Sequence, residues 1–430
     1  MQLLKFSILS ATMLAPVAAL ANENAVEAEQ PRDIVVSGAK QESASATKTD
    51  TPLIEVPQPV TIIEDEVFEA QGAISVSDTL NYVAGVTANP YGPDSRVDGA
   101  LVRGISALQF RDGMRDIFSF YASIRADPYN FDRIEIIRGP ASVLFGQGSL
   151  GGIINMVSKT PQFETGGEVS LRYGSFDRKE ALADITGPIT DNLAGRVVAR
   201  VRDSGTQTDN VPDDRVLFSP SLTFAPTDAT QVTLIGLYQE DDGGSTSQFL
   251  PLVGTILPNP NGQLGNDLFI GKPGWDRYDG RLLQGTVIAS HAFSPDLTLN
   301  AKARYIDSDL DYFTHYPNSY SNPLDPYLDE EQRLISNYAS GSLANMEIFS
   351  TDNNLQYDFR TGDAVEHTLL AGVDYSWNRV RKDSGYALEP IDIYDIDYDA
   401  LSDYGGSIPI TGDPGFLYSV LEDTKQTQIG

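Results

Sequence analysis

The sequence predicts an α+β domain followed by an antiparallel transmembrane β-barrel. Three observations lead there. An apolar leader marks the chain for export, yet no later apolar run is long enough for a spanning helix. From about Pro161 the chain settles into long segments of apolar–polar alternation. Between them, tight turns alternate with long polar loops, and aromatic residues gather near the segment ends.

The leader comprises residues 1–21. Lys5 provides a basic start, Phe6 to Leu20 is mostly apolar, and Ala19-Leu20-Ala21 is a small-x-small cleavage site that leaves Asn22 as the mature N-terminus. The chain has no cysteine, which excludes a disulfide scaffold, a thiolate metal site and a cysteine nucleophile together. With 30 basic and 60 acidic residues the net charge is −30. A phosphate-binding surface needs a positive field, so nucleic acid is not an expected partner.

Composition divides the remainder into three. Residues 22–50 are rich in Ala, Glu, Ser, Thr and Lys and lack aromatic residues, so they read as an extended, poorly packed arm. Its β-branched island is Asp33-Ile34-Val35-Val36-Ser37-Gly38. Residues 51–160 read as a mixed globular domain. Pro59 to Ile63 forms a strand, Ser77 to Val83 a short helix, and Val102, Ile134, Ile136 and Ile137 lie in further strands.

Residues 161–430 read as barrel strands. Leu297, Leu299, Ala301, Ala303 and Tyr305 alternate with Thr298, Asn300, Lys302 and Arg304. Val197, Ala199 and Val201 likewise oppose Arg196, Arg200 and Arg202. Alternate residues of a strand point to opposite faces, so each segment has one apolar and one polar side. A soluble sandwich shows the same pattern. Strands of roughly ten residues favour the membrane, because that length crosses a tilted bilayer path. So do the turns at Gly187-Pro188-Ile189-Thr190 and Ser294-Pro295-Asp296, set against the long loop from Asp241 to Asp279. Tyr173, Tyr238, Phe293, Tyr305, Tyr375 and Trp377 are the expected girdle residues.

The run from Asp132 to Lys159, DRIEIIRGPASVLFGQGSLGGIINMVSK, resembles the plug signature of TonB-dependent siderophore receptors, the ferrichrome-type branch in particular. Leu101-Val102-Arg103-Gly104-Ile105 and Arg111-Asp112-Gly113-Met114-Arg115 agree with it. The resemblance implies a plug inside a 22-stranded barrel in the cell outer membrane. It implies import of a ferric siderophore as transported ligand, with no cofactor, energised through TonB of the inner membrane. Gly146, Gly148, Gly151 and Gly152 suit tight turns and close approach to another wall. Gly146 to Gly151 also fits the dinucleotide spacing G-x-G-x-x-G, but strand-like Ile153 to Val157 follows and no βαβ unit surrounds it.

The resemblance also assigns residues. Asp33 to Gly38 match the TonB box, a peptide able to add a strand to a partner's sheet edge. Phe120 and Tyr121 match a ligand-contacting pair, and aromatic faces with a phenol suit a flat, polar chelate rim. Gln109, in the preceding loop, is a further candidate. That loop is shorter than the family's usual form, and no upstream arginine is evident; Tyr91 stands nearest in its place. Arg103 and Arg138 match plug arginines that pair with barrel glutamates, and buried guanidinium groups require such partners. The structural alternatives are packing for the aromatics and solvation in a wet lumen for the arginines.

Other constellations carry no chemistry. His291, His315 and His367 lack metal spacing, and the acidic loop Asp392 to Asp403 lacks the regular spacing of a calcium loop. No enzymatic site is expected. The competing readings are uptake of a corrinoid or glycan, a passive barrel, and a signalling receptor; residues 22–31 are too short for the extra domain the last would carry. Expected partners are TonB, the siderophore and outer-membrane lipid, around a monomer. Roughly ten or eleven strands follow Pro161, about half of such a barrel, so the barrel is expected to be incomplete and the chain an N-terminal fragment. The partners of Arg103 and Arg138 would then lie on later strands.

Overall fold

The structure, a computed structural model, describes residues 47–49, 51–139, 145, 150–362, 364–406, 408 and 420–430. The leader, the segment Asp33 to Gly38, Gly146 and Gly148 lie outside the described residues.

The first part is built on a five-stranded sheet. Its strands are β1 (Val60–Glu64), β5 (Leu108–Arg111), β6 (Met114–Arg115), β7 (Phe131–Arg138) and β8 (Gly152–Ser158). Their order is β1-β7-β8-β5-β6, antiparallel except for the parallel pair β5 and β8. A smaller sheet holds β2 (Val86–Ala88), β3 (Ala100–Val102) and β4 (Ile105–Ser106). Helix α1 (Asp65–Ala70) was not foreseen, and the expected helix at Ser77 to Val83 is only a 3-10 turn over Asp78–Leu80. Phe68 of α1 and Leu80 of that turn pack on Val102, Phe131, Ile134, Ile136, Ile154 and Met156. These β-branched and aromatic side chains drop one face of the sheet into a dry core, the main driving force for this domain. Gly151 and Gly152 do sit in tight approaches, but to Val102, Ile105 and Ile137 of the same domain rather than to the barrel.

The second part is one antiparallel sheet of ten strands joined in sequence order. These are β9 (Gly166–Gly174), β10 (Arg178–Thr190), β11 (Leu193–Asp203), β12 (Asp213–Thr227), β13 (Thr230–Gly243), β14 (Arg277–Ser294), β15 (Leu297–Pro317), β16 (Leu334–Thr361), β17 (Val365–Asp392) and β18 (Val420–Ile429). The sheet is open: β9 and β18 are its two edges. No described helix is long and apolar enough to cross a membrane.

Strand length departs from the expected ten or so residues. β16 and β17 each run 28 residues. The reason is a phase inversion. On β15 the outward face reads Leu297 to Tyr305 and then Asp307, Asp309 and Asp311, while Ile306 and Leu310 turn inward and are buried. β14 does the same, with outward Val287 and Leu283 giving way to Arg281 and Asp279, and inward Leu282. On β16, outward Phe349 gives way to Glu347, and Met346 and Ile348 are buried inside. The lipid-facing band therefore ends at Tyr238, Tyr305, Phe349 and Trp377, and the strands continue beyond it with an apolar interior. Phe293, Tyr357 and Phe359 mark its other border near the tight turns.

That apolar interior is what seats the first domain. Leu182, Val198, Leu217, Leu237, Leu282, Ile306, Leu310, Met346 and Ile348 of the inner wall form one cluster with Ala122, Ile124 and Tyr129. The segment between β6 and β7 thus packs against the apolar inner face of the sheet.

Candidate functional site

The candidate site lies at the long-loop end of the plug, where Phe120 and Tyr121 project. Tyr121 has φ 58°, a left-handed conformation uncommon for a bulky residue and maintained only by surrounding structure. That structure is visible. The Tyr121 ring stacks on Tyr312 of β15, with centroids 5.4 Å apart and planes at 18°. Tyr312 in turn meets Tyr278 edge to face at 5.1 Å. Phe120 is 49% exposed and free to meet a ligand.

Arg96 occupies the centre of this group. Its guanidinium lies 5.4, 5.6 and 5.9 Å from the rings of Tyr121, Tyr312 and Tyr316. It donates to the hydroxyls of Tyr312 and Tyr316, which also contact each other. Its other edge donates to Asp94, from Nε at 2.8 Å and Nη2 at 2.7 Å. Burial alone would lower the Arg96 pKa, but hydrogen bonding to Asp94 and the nearby tyrosines outweigh it and raise it. The same pair holds Asp94 below its usual range against the effect of its own burial. Phe249 continues the aromatic wall, edge to face with Tyr316 at 5.1 Å and 5.9 Å from Tyr320, which is largely exposed. The result is a wall of rings and phenols around a cation whose charge is already matched. Such a surface favours a broad, polar, weakly charged ligand by stacking and hydrogen bonding.

The sequence singled out Phe120 and Tyr121 but not Arg96, Tyr312 and Tyr316. Tyr312 and Tyr316 are four residues apart on one strand and so share the inward face, a signal present in the sequence. Nothing local linked them to Arg96. Tyr91 is 91% exposed and takes no part in the aromatic group. Gln109 lies in strand β5, not in a loop; it is buried, and its amide donates to the Asp98 carbonyl at 2.7 Å.

Arg103 sits in an exposed turn with φ 53°. Arg138 is half-buried, its Nε has no hydrogen-bond partner among the described residues, and burial together with Arg103 lowers its pKa. Neither meets a carboxylate within ion-pair distance among the described residues, so their pairing stays with the resemblance. The structure shows a different plug–wall ion network. Asp127, fully buried, accepts from Arg200 at 2.6 and 2.8 Å and from Arg215 at 3.0 Å. Arg200 continues to Glu180 at 3.2 Å, and Arg215 to Asp241 at 2.5 Å. Plug residue Arg125 reaches Asp213 at 3.3 Å, which also accepts from Arg202 at 2.5 Å. Burial would raise the Asp127 pKa, but Arg200 and Arg215 outweigh it and hold the carboxyl well below the usual range.

The expected arm reaches the described region only at residues 47–49, and these are not unpacked as the composition suggested. Lys48 pairs with Asp352 on the inner face of β16 at 2.9 Å. The histidines have structural partners: His315 contacts Asp276 at 2.6 Å and Glu389 at 3.4 Å, and His291 bonds Thr230. Among the described residues no group of side chains could hold a metal ion.

Comparison with known proteins fits this architecture. Residues 52–153 match the family model described as the TonB-dependent Receptor Plug Domain. The chain is 35% identical over 371 residues to the ferrioxamine B receptor of Salmonella typhimurium, covering 84% of this chain and 51% of the relative. It is 29% identical over 416 residues to the ferrichrome outer membrane transporter/phage receptor of Escherichia coli K12, covering 91% of this chain and 54% of the relative. The chain thus spans about half the length of the curated relatives it matches. Among solved structures, FpvA of Pseudomonas aeruginosa bound to pyoverdine aligns with a TM-score of 0.73 at 22% identity, over 90% of this chain and 55% of that one. The ferric-catecholate import receptor Fiu of E. coli K12 aligns with a TM-score of 0.73 at 23% identity, over 85% of this chain and 52% of that one. Residues 52–153 thus carry the plug domain of TonB-dependent receptors, and the chain is similar over most of its length to outer-membrane receptors of that kind.

Proposed function

We propose that the chain belongs to a receptor that binds a ferric siderophore at the outer face of its plug and imports it with energy supplied through TonB. The observation that carries this is the aromatic wall around Arg96, which joins plug residue Tyr121 to Tyr312 and Tyr316 of the barrel. A ligand seated there touches plug and wall together, so its binding is coupled to the body that must move for passage. The relatives named for ferrioxamine and ferrichrome support a chelate of that kind. TonB would be engaged through Asp33 to Gly38 by strand addition. The protein would act as a monomer surrounded by outer-membrane lipid, without a resident cofactor and without catalysis. A passive barrel is disfavoured, since the plug packs against the inner wall and is tied to it at Asp127.

The test is binding and uptake of radiolabelled iron by the receptor in outer membranes. It uses a panel of ferrioxamine, ferrichrome, catecholate, corrinoid and glycan ligands under iron limitation. Saturable binding of a ferric chelate, with uptake that requires TonB, supports the reading. Binding of only the corrinoid or glycan, or uptake independent of TonB, overturns it.

A further inference from the structure

Arg96 reaches the aromatic wall from the tip of one plug loop, residues 89–99 between β2 and β3. Two hydroxyl groups tie that tip to the barrel. The Ser95 amide donates to Thr246 Oγ1 at 3.2 Å, and Thr246 Oγ1 donates in turn to the Pro93 carbonyl at 3.3 Å. In the other direction the Thr246 amide donates to Ser95 Oγ at 3.0 Å, and Ser95 Oγ donates to the Gly244 carbonyl. Each hydroxyl accepts one hydrogen bond and donates one, so the pair is reciprocal. The barrel half is held in place. Thr246 belongs to the long loop that follows β13, and buried Gln248 folds that loop on itself. Its amide donates to the Ser245 carbonyl at 2.7 Å and accepts from the Ile270 amide at 2.9 Å. Thr208 donates to the Thr246 carbonyl at 3.4 Å. The plug half has room to move. Pro93 is exposed, and a cavity of about 160 Å³ opens beside Pro93, Asp94 and Ser95 toward Phe176 and Gly205. Beyond the two hydroxyls, the backbone of the tip is reached by Arg125, which donates to the Asp94 carbonyl at 3.0 Å.

We propose that Ser95 and Thr246 form a clasp that positions Arg96 for the ligand. This rests on the reading of the aromatic wall as the chelate site. Arg96 acts there through its placement: its charge is matched by Asp94, and its far nitrogen stands between the Tyr312 and Tyr316 hydroxyls. Asp94 and Arg96 flank Ser95 in the chain, so a shift of Ser95 carries both with it. A tip that swung toward the cavity would leave the two phenols without their donor and the Tyr121 ring without the cation beside it. The clasped arrangement is then the one that binds at full strength, and apparent affinity scales with the fraction of molecules that hold it. Ser95 and Thr246 are positioning residues, and neither needs to touch the ligand. That distinction has a kinetic signature. A lost contact speeds dissociation, whereas lost positioning lowers the population able to bind and slows association.

The test compares Thr246→Val with Thr246→Ser in purified receptor. Amide hydrogen exchange is followed, with no chelate present, at Arg96, whose amide donates to Asp94 at 2.9 Å and to neither clasp residue. Stopped-flow quenching of intrinsic fluorescence then gives association and dissociation rates for ferrioxamine and for ferrichrome. Thr246→Val should speed exchange at Arg96 about tenfold and slow association about tenfold, as loss of two ordinary hydrogen bonds would, with dissociation unchanged. Thr246→Ser keeps the hydroxyl and should behave as the parent. Retained resistance of the unheated barrel to detergent identifies folded variants, and Ser95→Ala takes the place of Thr246→Val if the latter does not assemble. Parent-like exchange at Arg96 in Thr246→Val, faster dissociation with unchanged association, or no rescue by Thr246→Ser would overturn the clasp. Binding of neither chelate by the parent, with the exchange pattern intact, would instead count against the siderophore reading.

Discussion

Asp127 is the residue whose loss should cost the plug most. Its carboxylate is fully buried and receives Arg200, Arg215 and the Tyr129 amide, the last at 3.0 Å. Asp127→Ala leaves two buried guanidinium groups short of a partner and uncaps the turn over Pro128–Asn130. Breaking a buried pair by removing one member costs about 3–5 kcal/mol. Arg200 keeps Glu180 and Arg215 keeps Asp241, so the lower end, about 3 kcal/mol, is expected. Asp127→Asn retains the cap and one acceptor oxygen and should cost less, about 2 kcal/mol, because the ion pairs become hydrogen bonds from a cation to a neutral amide oxygen. Both losses would be read as increased protease sensitivity of the plug in purified receptor, with the barrel's heat stability as an internal reference. The pH dependence has a definite sign. The folded pKa is depressed, so the contribution is present in full above the ordinary aspartate value near pH 4 and is lost only as the pH falls below it toward the lowered folded value. The plug should remain docked in mildly acidic buffer. Parent-like protease resistance in Asp127→Ala, or undocking already at pH 5–6 in the parent, would refute this account of the network.

Four further outcomes are expected. Tyr121→Ala and Tyr312→Ala should each weaken chelate binding by about 1–3 kcal/mol, measured by titration of intrinsic fluorescence; unchanged affinity in both would move the site elsewhere. Arg96→Lys should weaken binding as well, since an ammonium lacks the planar fork that grips both Asp94 oxygens while its far nitrogen reaches two phenols. Val35→Pro should abolish uptake while leaving binding intact, because proline removes a strand donor; normal uptake would remove the TonB-box assignment. Gly152→Ala should destabilise the plug by about 2–4 kcal/mol, since φ is 133° and a Cβ would overlap the Ile137 carbonyl, and thermal unfolding would show it.

What the sequence determined by itself is whatever is periodic or contiguous. The alternation at Leu297 to Tyr305 assigned the lipid face, because side chains of a strand must alternate whatever the partner strand does. The run from Asp132 to Lys159 identified the plug because its residues are neighbours in the chain. Phe120 and Tyr121 could be singled out for the same reason. Tertiary structure decided the rest. The alternation changes phase at the membrane border, where Ile306 and Leu310 turn inward, so a reading for one apolar face ended the strands too early. Gln109 was placed in a loop because β5, only four residues long, leaves little periodic trace. Arg96 meets Tyr312 and Tyr316 across more than 200 residues, and Asp127 meets Arg215 across 88. Period two states which face a residue occupies; strand register and the seating of the plug decide what it meets there. Those depend on hydrogen bonding and packing between distant segments, which no local pattern records.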